Sequence, residues 1–120
     1  MTEQIDYATM NGMDFNYYQR AARFSAKYPQ DRALEYLVMG LTSEAGEVAG
    51  KLKKIIRDND GVLDETRKND LISEIGDVLW YCAELATALG TNMSVIAKKN
   101  IDKLASRSER GVIGGSGDHR

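Results

Sequence analysis

The chain has 120 residues, a formal net charge of −2 and one cysteine, Cys82. A chain of this size is read as one domain that buries roughly two-thirds of its unfolded surface. The mild acidic excess argues against a nucleic-acid binder, and the lone cysteine excludes an intramolecular disulfide framework and suits a reducing cytoplasm.

No apolar run approaches the ~18 residues of a membrane span, and the opening MTEQIDYATMNG has no signal-peptide core. A single proline, Pro29, and few alternating stretches predict an all-α chain, a bundle of about four helices. Residues 1–13 lack helical periodicity and form an N-terminal arm. The helical domain is expected over 14–110. Its first helix runs from Asp14 to Lys27 and is closed by Tyr28-Pro29. Asp31 is the expected N-cap of a second helix reaching Arg57. DNDG, residues 58–61, is a turn. It is not a calcium loop, because with Gly61 in the glycine position the first and last ligands would be Ile56 and Arg67.

A third helix is expected from Glu65 to Leu89, stopped by Gly90, and Thr91 or Asn92 caps a fourth that ends near Ser108. Residues 111–120, GVIGGSGDHR, hold four of the eleven glycines and predict a tail without regular structure. Helices two and three have roughly 25 residues each, about 37 Å at 1.5 Å per residue. They outrun a core whose radius of gyration would be about 14 Å. A homodimer or homotetramer is the expected way to cover them.

Two acidic pairs stand on these long helices. SEAGEV places Glu44 and Glu47 three apart, and EIGDVLWY does the same for Glu74 and Asp77. On a wheel with Glu44 at zero, Leu37, Leu41, Val48, Leu52 and Ile55 fall between about 20° and 80°. With Glu74 at zero, Leu71, Ile75, Val78, Cys82, Leu85 and Leu89 fall between about 20° and 100°. Glu47 and Asp77 each lie about 60° on the far side of the first acid, outside their stripe. If the stripes face each other, four carboxylates meet at one edge. Two such charges about 5 Å apart repel by roughly 3 kcal/mol at an effective dielectric of 20. The group therefore takes up protons or binds cations, and an all-oxygen set suits Mg²⁺ or Mn²⁺. Cys82 and His119 are too isolated for zinc, and the Glu-x-x-His motifs of di-iron bundles are absent.

Positive charge follows the acids. Lys51 and Lys54 extend the Glu44/Glu47 line, and Asn100, Lys103, Arg107 and Arg110 make a second stripe on the fourth helix. Cations on carboxylates beside Lys and Arg suit a polyphosphate.

SEAGEVAGKLKK, EIGDVLWYCAELATALG and KNIDKLASR together resemble the MazG-like nucleoside triphosphate pyrophosphohydrolases of the all-α NTP pyrophosphatase superfamily. Their E-x-x-E and E-x-x-D motifs are matched by Glu44, Glu47, Glu74 and Asp77, and their Asn-x-x-Lys by Asn100 and Lys103. The acidic run often preceding the first motif is reduced here to Ser43-Glu44. The resemblance covers roughly residues 14–120. It implies Mg²⁺-dependent hydrolysis of an NTP or dNTP to the monophosphate and pyrophosphate, by metal-activated water attacking the α-phosphorus. All four acids are then both metal ligands and catalytic, with Glu47 also a candidate proton acceptor. Lys51, Lys54, Asn100, Lys103, Arg107 and Arg110 are the substrate-binding candidates. Trp80, with Tyr17, Tyr18 and Phe24, can stack on a base, although aromatics at helical spacing more often belong to a core. Cys82 is expected to be buried. The tail is expected either to fold over the phosphates or to be disordered. Two other functions fit the same residues: a narrower dUTP- or dCTP-type pyrophosphatase, and a helical oligomerisation module whose acids only solubilise it.

Overall fold

The computed structural model describes residues 12–119, which contain four α-helices and no strand. Helix α1 spans Phe15–Ala22, opened by the Asp14 carboxylate accepting from the Tyr17 amide at 2.7 Å. It does not continue to Lys27. It tightens into a 3-10 turn over Arg23–Ser25, where the Ser25 hydroxyl donates back to the Ala22 carbonyl at 3.1 Å. Ala26 then leaves helical space with ψ 79°. Most of the arm expected over residues 1–13 lies outside the described residues.

Asp31 is not the cap of the second helix. Pro29 opens a second 3-10 turn, Gln30–Arg32, whose last amide bonds the Pro29 carbonyl, so Asp31 lies within a helical turn rather than before one. Helix α2, Ala33–Asn59, follows directly, with Arg32 at its cap position and no side-chain hydrogen bond there. It ends where Asp60 and Gly61 take positive φ, 53° and 74°, and both amides reach back to the Ile55 carbonyl. Such a left-handed close is common at helix ends and favours glycine. Asp64 caps α3, Glu65–Ala88, through the Arg67 amide at 2.9 Å. Asn92, rather than Thr91, caps α4, Met93–Glu109, through the Val95 amide at 3.0 Å.

The short 60–64 connection folds α2 and α3 into an antiparallel hairpin, the most extensive packing in the chain. Their contact is close at Gly40, where an added Cβ would collide with the Tyr81 ring at Cε1 and Cζ. Helices α1 and α4 pack on another face of α3. There Ala83 and Ala86 are buried with Ala22 and Met93, and Leu79 extends the line at i, i+4, i+7. Gln19 ties this end together, donating to Thr87 Oγ1 at 3.0 Å and to the Thr91 carbonyl while accepting from the Met93 amide. Glu84 is wholly buried beside it, accepting from Arg23 Nη1 and from the Tyr28 hydroxyl, both at 2.6 Å.

The apolar stripes are therefore only partly covered. Leu37 and Ile55 are buried as expected, but Leu52, Ile75 and Leu89 are more than half exposed. Among the described residues, α1 and α4 bury Ala83 and Ala86 in the C-terminal half of α3, whereas Ile56, Val62, Leu63 and Ile72 at the loop end of the hairpin stay more than half exposed. The radius of gyration, 17.3 Å, exceeds the about 14 Å of a compact chain of this length. None of the described helices is long and apolar enough to cross a membrane.

Candidate metal and nucleotide site

Glu44 stands in mid-α2, and Glu74 and Asp77 lie one helical turn apart on α3. The antiparallel pairing brings one oxygen of each to within 4.8 Å of the others. Glu44 and Glu74 are half-buried and Asp77 is exposed, so the cluster opens to solvent on one side. Glu47 does not join this set. It faces solvent, yet its charge is felt at Glu44.

The electrostatics match the crowding. Burial first, then the charges of Asp77, Glu74 and Glu47, hold the Glu44 carboxyl above the usual carboxylate range. Lys51 brings a cation to the cluster's edge, its Nζ 4.0 Å from Glu74. Two phenols border it as well. Burial pushes the Tyr81 hydroxyl up, and so do a hydrogen bond with Tyr36 and the nearby Glu44 and Asp77. Tyr18 is raised by burial and then by Asp77. The sequence reading did not single out Tyr81. Its signal was present, because Tyr81 lies four residues after Asp77 and so on the same helix face.

Lys51 and Lys54 share a cleft of about 150 Å³ with Ile55, Asp58, Arg67 and Asp70, at the loop end of the hairpin. On α4, Lys103 and Arg107 both reach Asp118 in the C-terminal tail, at 3.3 and 3.2 Å. Arg107 belongs to the same stripe as Lys103. It is buried, 4 % exposed, because the tail turns back over it. Asn100 and Arg110 lie exposed elsewhere on α4, Arg110 donating to Ser106 Oγ.

Among the aromatics, Trp80 is half-buried. Its indole N–H donates to Ser25 Oγ at 2.8 Å, and its ring packs edge-on against Tyr28 and Tyr81. Tyr17 carries the Arg20 guanidinium over its ring, and Phe24 is 86 % exposed. Tyr18 lines an apolar cavity of about 390 Å³ with Met13, Asp14, Phe15, Leu79 and Ser94. Cys82 is half-buried rather than enclosed, and burial raises its thiol.

Two antiparallel helices that gather carboxylates from both partners define an all-α protein with an acidic centre. The MazG nucleotide pyrophosphohydrolase domain matches this chain over residues 32–112, and the chain belongs to that family. The match takes in all four acids of the two motifs and both lysine-bearing stretches. The "Gene 37 protein" of Mycobacterium phage L5 is 47 % identical over 114 residues, which are 90 % of this chain and 100 % of that protein. No solved structure matches the chain.

Proposed function

We propose that this chain is a Mg²⁺-dependent nucleotide pyrophosphohydrolase, splitting an NTP or dNTP into the monophosphate and pyrophosphate. The observation that carries the reading is the convergence of Glu44, Glu74 and Asp77 oxygens within 4.8 Å, in a chain of the MazG family. The donor set fits the cation. It is all oxygen, partly open to solvent, and suits Mg²⁺ or Mn²⁺ better than a thiophilic metal. Glu44, Glu74 and Asp77 would hold it, with Glu47 completing the set from the rim or accepting a proton from the attacking water. When bound, the cation lowers the pKa of a water and offsets charge on the phosphates.

The chain's own groups do the rest. Lys51, at the edge of the cluster, and Lys54 beyond it present point charges to phosphate oxygens. Lys103, Arg107, Asn100 and Arg110 supply a second set of donors, with Arg able to engage two oxygens at once. The base is held among Tyr18, the apolar cavity beside it, and Trp80. Water adds at the α-phosphorus, the bond to the bridging oxygen breaks, and pyrophosphate leaves with its charge held by the basic side chains. The exposed apolar surface at the loop end of the hairpin supports a homodimer or homotetramer, and the lone half-buried cysteine supports a reducing, cytoplasmic setting.

Turnover in ¹⁸O-labelled water, across a panel of NTPs and dNTPs with Mg²⁺, tests the reaction. The label is expected in the monophosphate, with unlabelled pyrophosphate as co-product. Label in orthophosphate beside a diphosphate would mean attack at the γ-phosphorus and end this reading. Strong preference for dUTP or dCTP would narrow it to a house-cleaning pyrophosphatase on the same scaffold. No release from any nucleotide would leave a helical oligomerisation module.

A further inference from the structure

Arg107 is the most deeply buried cation among the described residues, its side chain 5 % exposed. Its Nη2 donates to the Gly117 carbonyl at 3.3 Å and to Asp118 Oδ1 at 3.2 Å. Its Nε, also buried, has no partner. The same Asp118 oxygen takes Lys103 Nζ at 3.3 Å, so one carboxylate oxygen bridges two cations a helical turn apart. Asp118 itself stays 74 % exposed.

These contacts are loose. Charge-assisted N–H···O bonds usually close to about 2.7–2.9 Å. A guanidinium is a planar fork that pairs best with two oxygens, and a buried donor without a partner is costly. Here the fork meets one carboxylate oxygen and one carbonyl, and Nε meets nothing. The tail that delivers Asp118 starts where Gly111 turns at φ 70° and the Val112 amide bonds the Arg107 carbonyl at 2.8 Å. Arg107 and then Lys103 hold the Asp118 carboxyl below the usual carboxylate range, so it is an anion at neutral pH.

We propose that Lys103 and Arg107 form an oxyanion seat on α4 that the chain's own Asp118 fills, and that substrate phosphates enter it by displacing the tail. The inference rests on the pyrophosphohydrolase reading for the identity of the incoming anion. A phosphate group brings the several oxygens that Asp118 lacks and can serve both the Arg107 fork and Lys103. Asp118 is thus a built-in competitor: it offsets one of the seat's two positive charges and covers it when no nucleotide is present, and it weakens phosphate binding by the strength of its own contact.

The test is calorimetric titration of the full chain with inorganic tripolyphosphate in EDTA, without metal or nucleotide. Asp118→Asn should bind tripolyphosphate about tenfold more tightly than the parent, the scale of one charge-assisted hydrogen bond removed from the competitor. Adding Lys103→Ala to Asp118→Asn should erase that gain. Equal affinity of the parent and Asp118→Asn would overturn the proposal. So would weaker binding by Asp118→Asn with a lowered melting temperature, which would make Asp118 a brace for α4. The reaction itself is read separately. If no nucleotide releases pyrophosphate while Asp118→Asn still gains tripolyphosphate affinity, the seat stands and the enzymatic assignment falls.

Discussion

Two carboxylates on the long helices meet opposite fates. Glu84 is fully buried at the α1 end of α3, yet its Oε1 receives both the Arg23 guanidinium and the Tyr28 hydroxyl. Glu44 is less buried, but its closest charged neighbours are other acids. The first is paired within the chain through Oε1, its buried Oε2 having no hydrogen-bond partner among the described residues, and ties the α1–α2 connection to α3. The second is surrounded by repulsion that no side chain among the described residues cancels, apart from Lys51 at the edge. Folding gains nothing from assembling like charges, so the second arrangement points outward, to a cation.

Substitutions at the two places should separate these roles. The largest effect is expected from Glu84→Ala, which leaves the Tyr28 hydroxyl and Arg23 without their acceptor. A loss of about 3 kcal/mol in urea unfolding is expected, at the lower end for a broken buried pair because Arg23 is partly exposed. A loss below about 0.5 kcal/mol, the scale of an ordinary surface change, would show that the pair contributes little.

The next effect belongs to the metal. At about 100 times its dissociation constant, Mg²⁺ or Mn²⁺ should add ~2.7 kcal/mol, because it binds the folded chain alone. Glu74→Gln should remove most of that gain, whereas Glu84→Gln should keep it. Melting curves with and without saturating metal decide the matter, and identical curves would count against the acidic cluster as a metal site.

The smallest effect has the opposite sign. Without metal, Glu44→Gln should stabilise the chain by up to about 1 kcal/mol, the scale of partly screened charge pairs, while abolishing turnover. The pH dependence follows from the raised Glu44 carboxyl. The folded chain keeps this proton over a pH interval in which the unfolded chain has lost it. That contribution is complete below the unfolded value and disappears as pH rises through the folded one. Metal-free stability should therefore fall across that interval, and the Glu44→Gln variant should lose this component of the slope.

The long helices were legible because their ends carry strong local signals: the Asn59–Gly61 turn, Asp64, Gly90 and Asn92 all act through nearby backbone. The acidic pairs were legible because three-residue spacing on two helices repeats one phase. What sequence periodicity could not supply was which further element would land on each face. Glu84 lies on the same side of α3 as Asp77 by angle, off the apolar stripe, and its burial comes from Arg23 and Tyr28 in the connection after α1. The line of Leu79, Ala83 and Ala86 was overlooked because alanines make a faint stripe beside leucines and isoleucines. The burial of Arg107 is hidden for a similar reason, since the returning tail covers it. Asp31 failed as a cap because Pro29 started a tighter turn two residues earlier.

Gly40 gives the hairpin a gauge. With the Tyr81 ring within clashing distance of an added Cβ, the pair sets how near the two helix axes come, Gly40 one turn before Glu44 and Tyr81 one turn after Asp77. A single methyl at position 40 is a wedge that would push the aromatic ring aside and widen the mouth in which the acids meet. Gly46 and Gly50, on the same helix, have open space around them in the single chain. Saturation mutagenesis scored for folding should consequently show a sharp asymmetry along one helix: alanine accepted at 46 and 50, and no residue but glycine retained at 40.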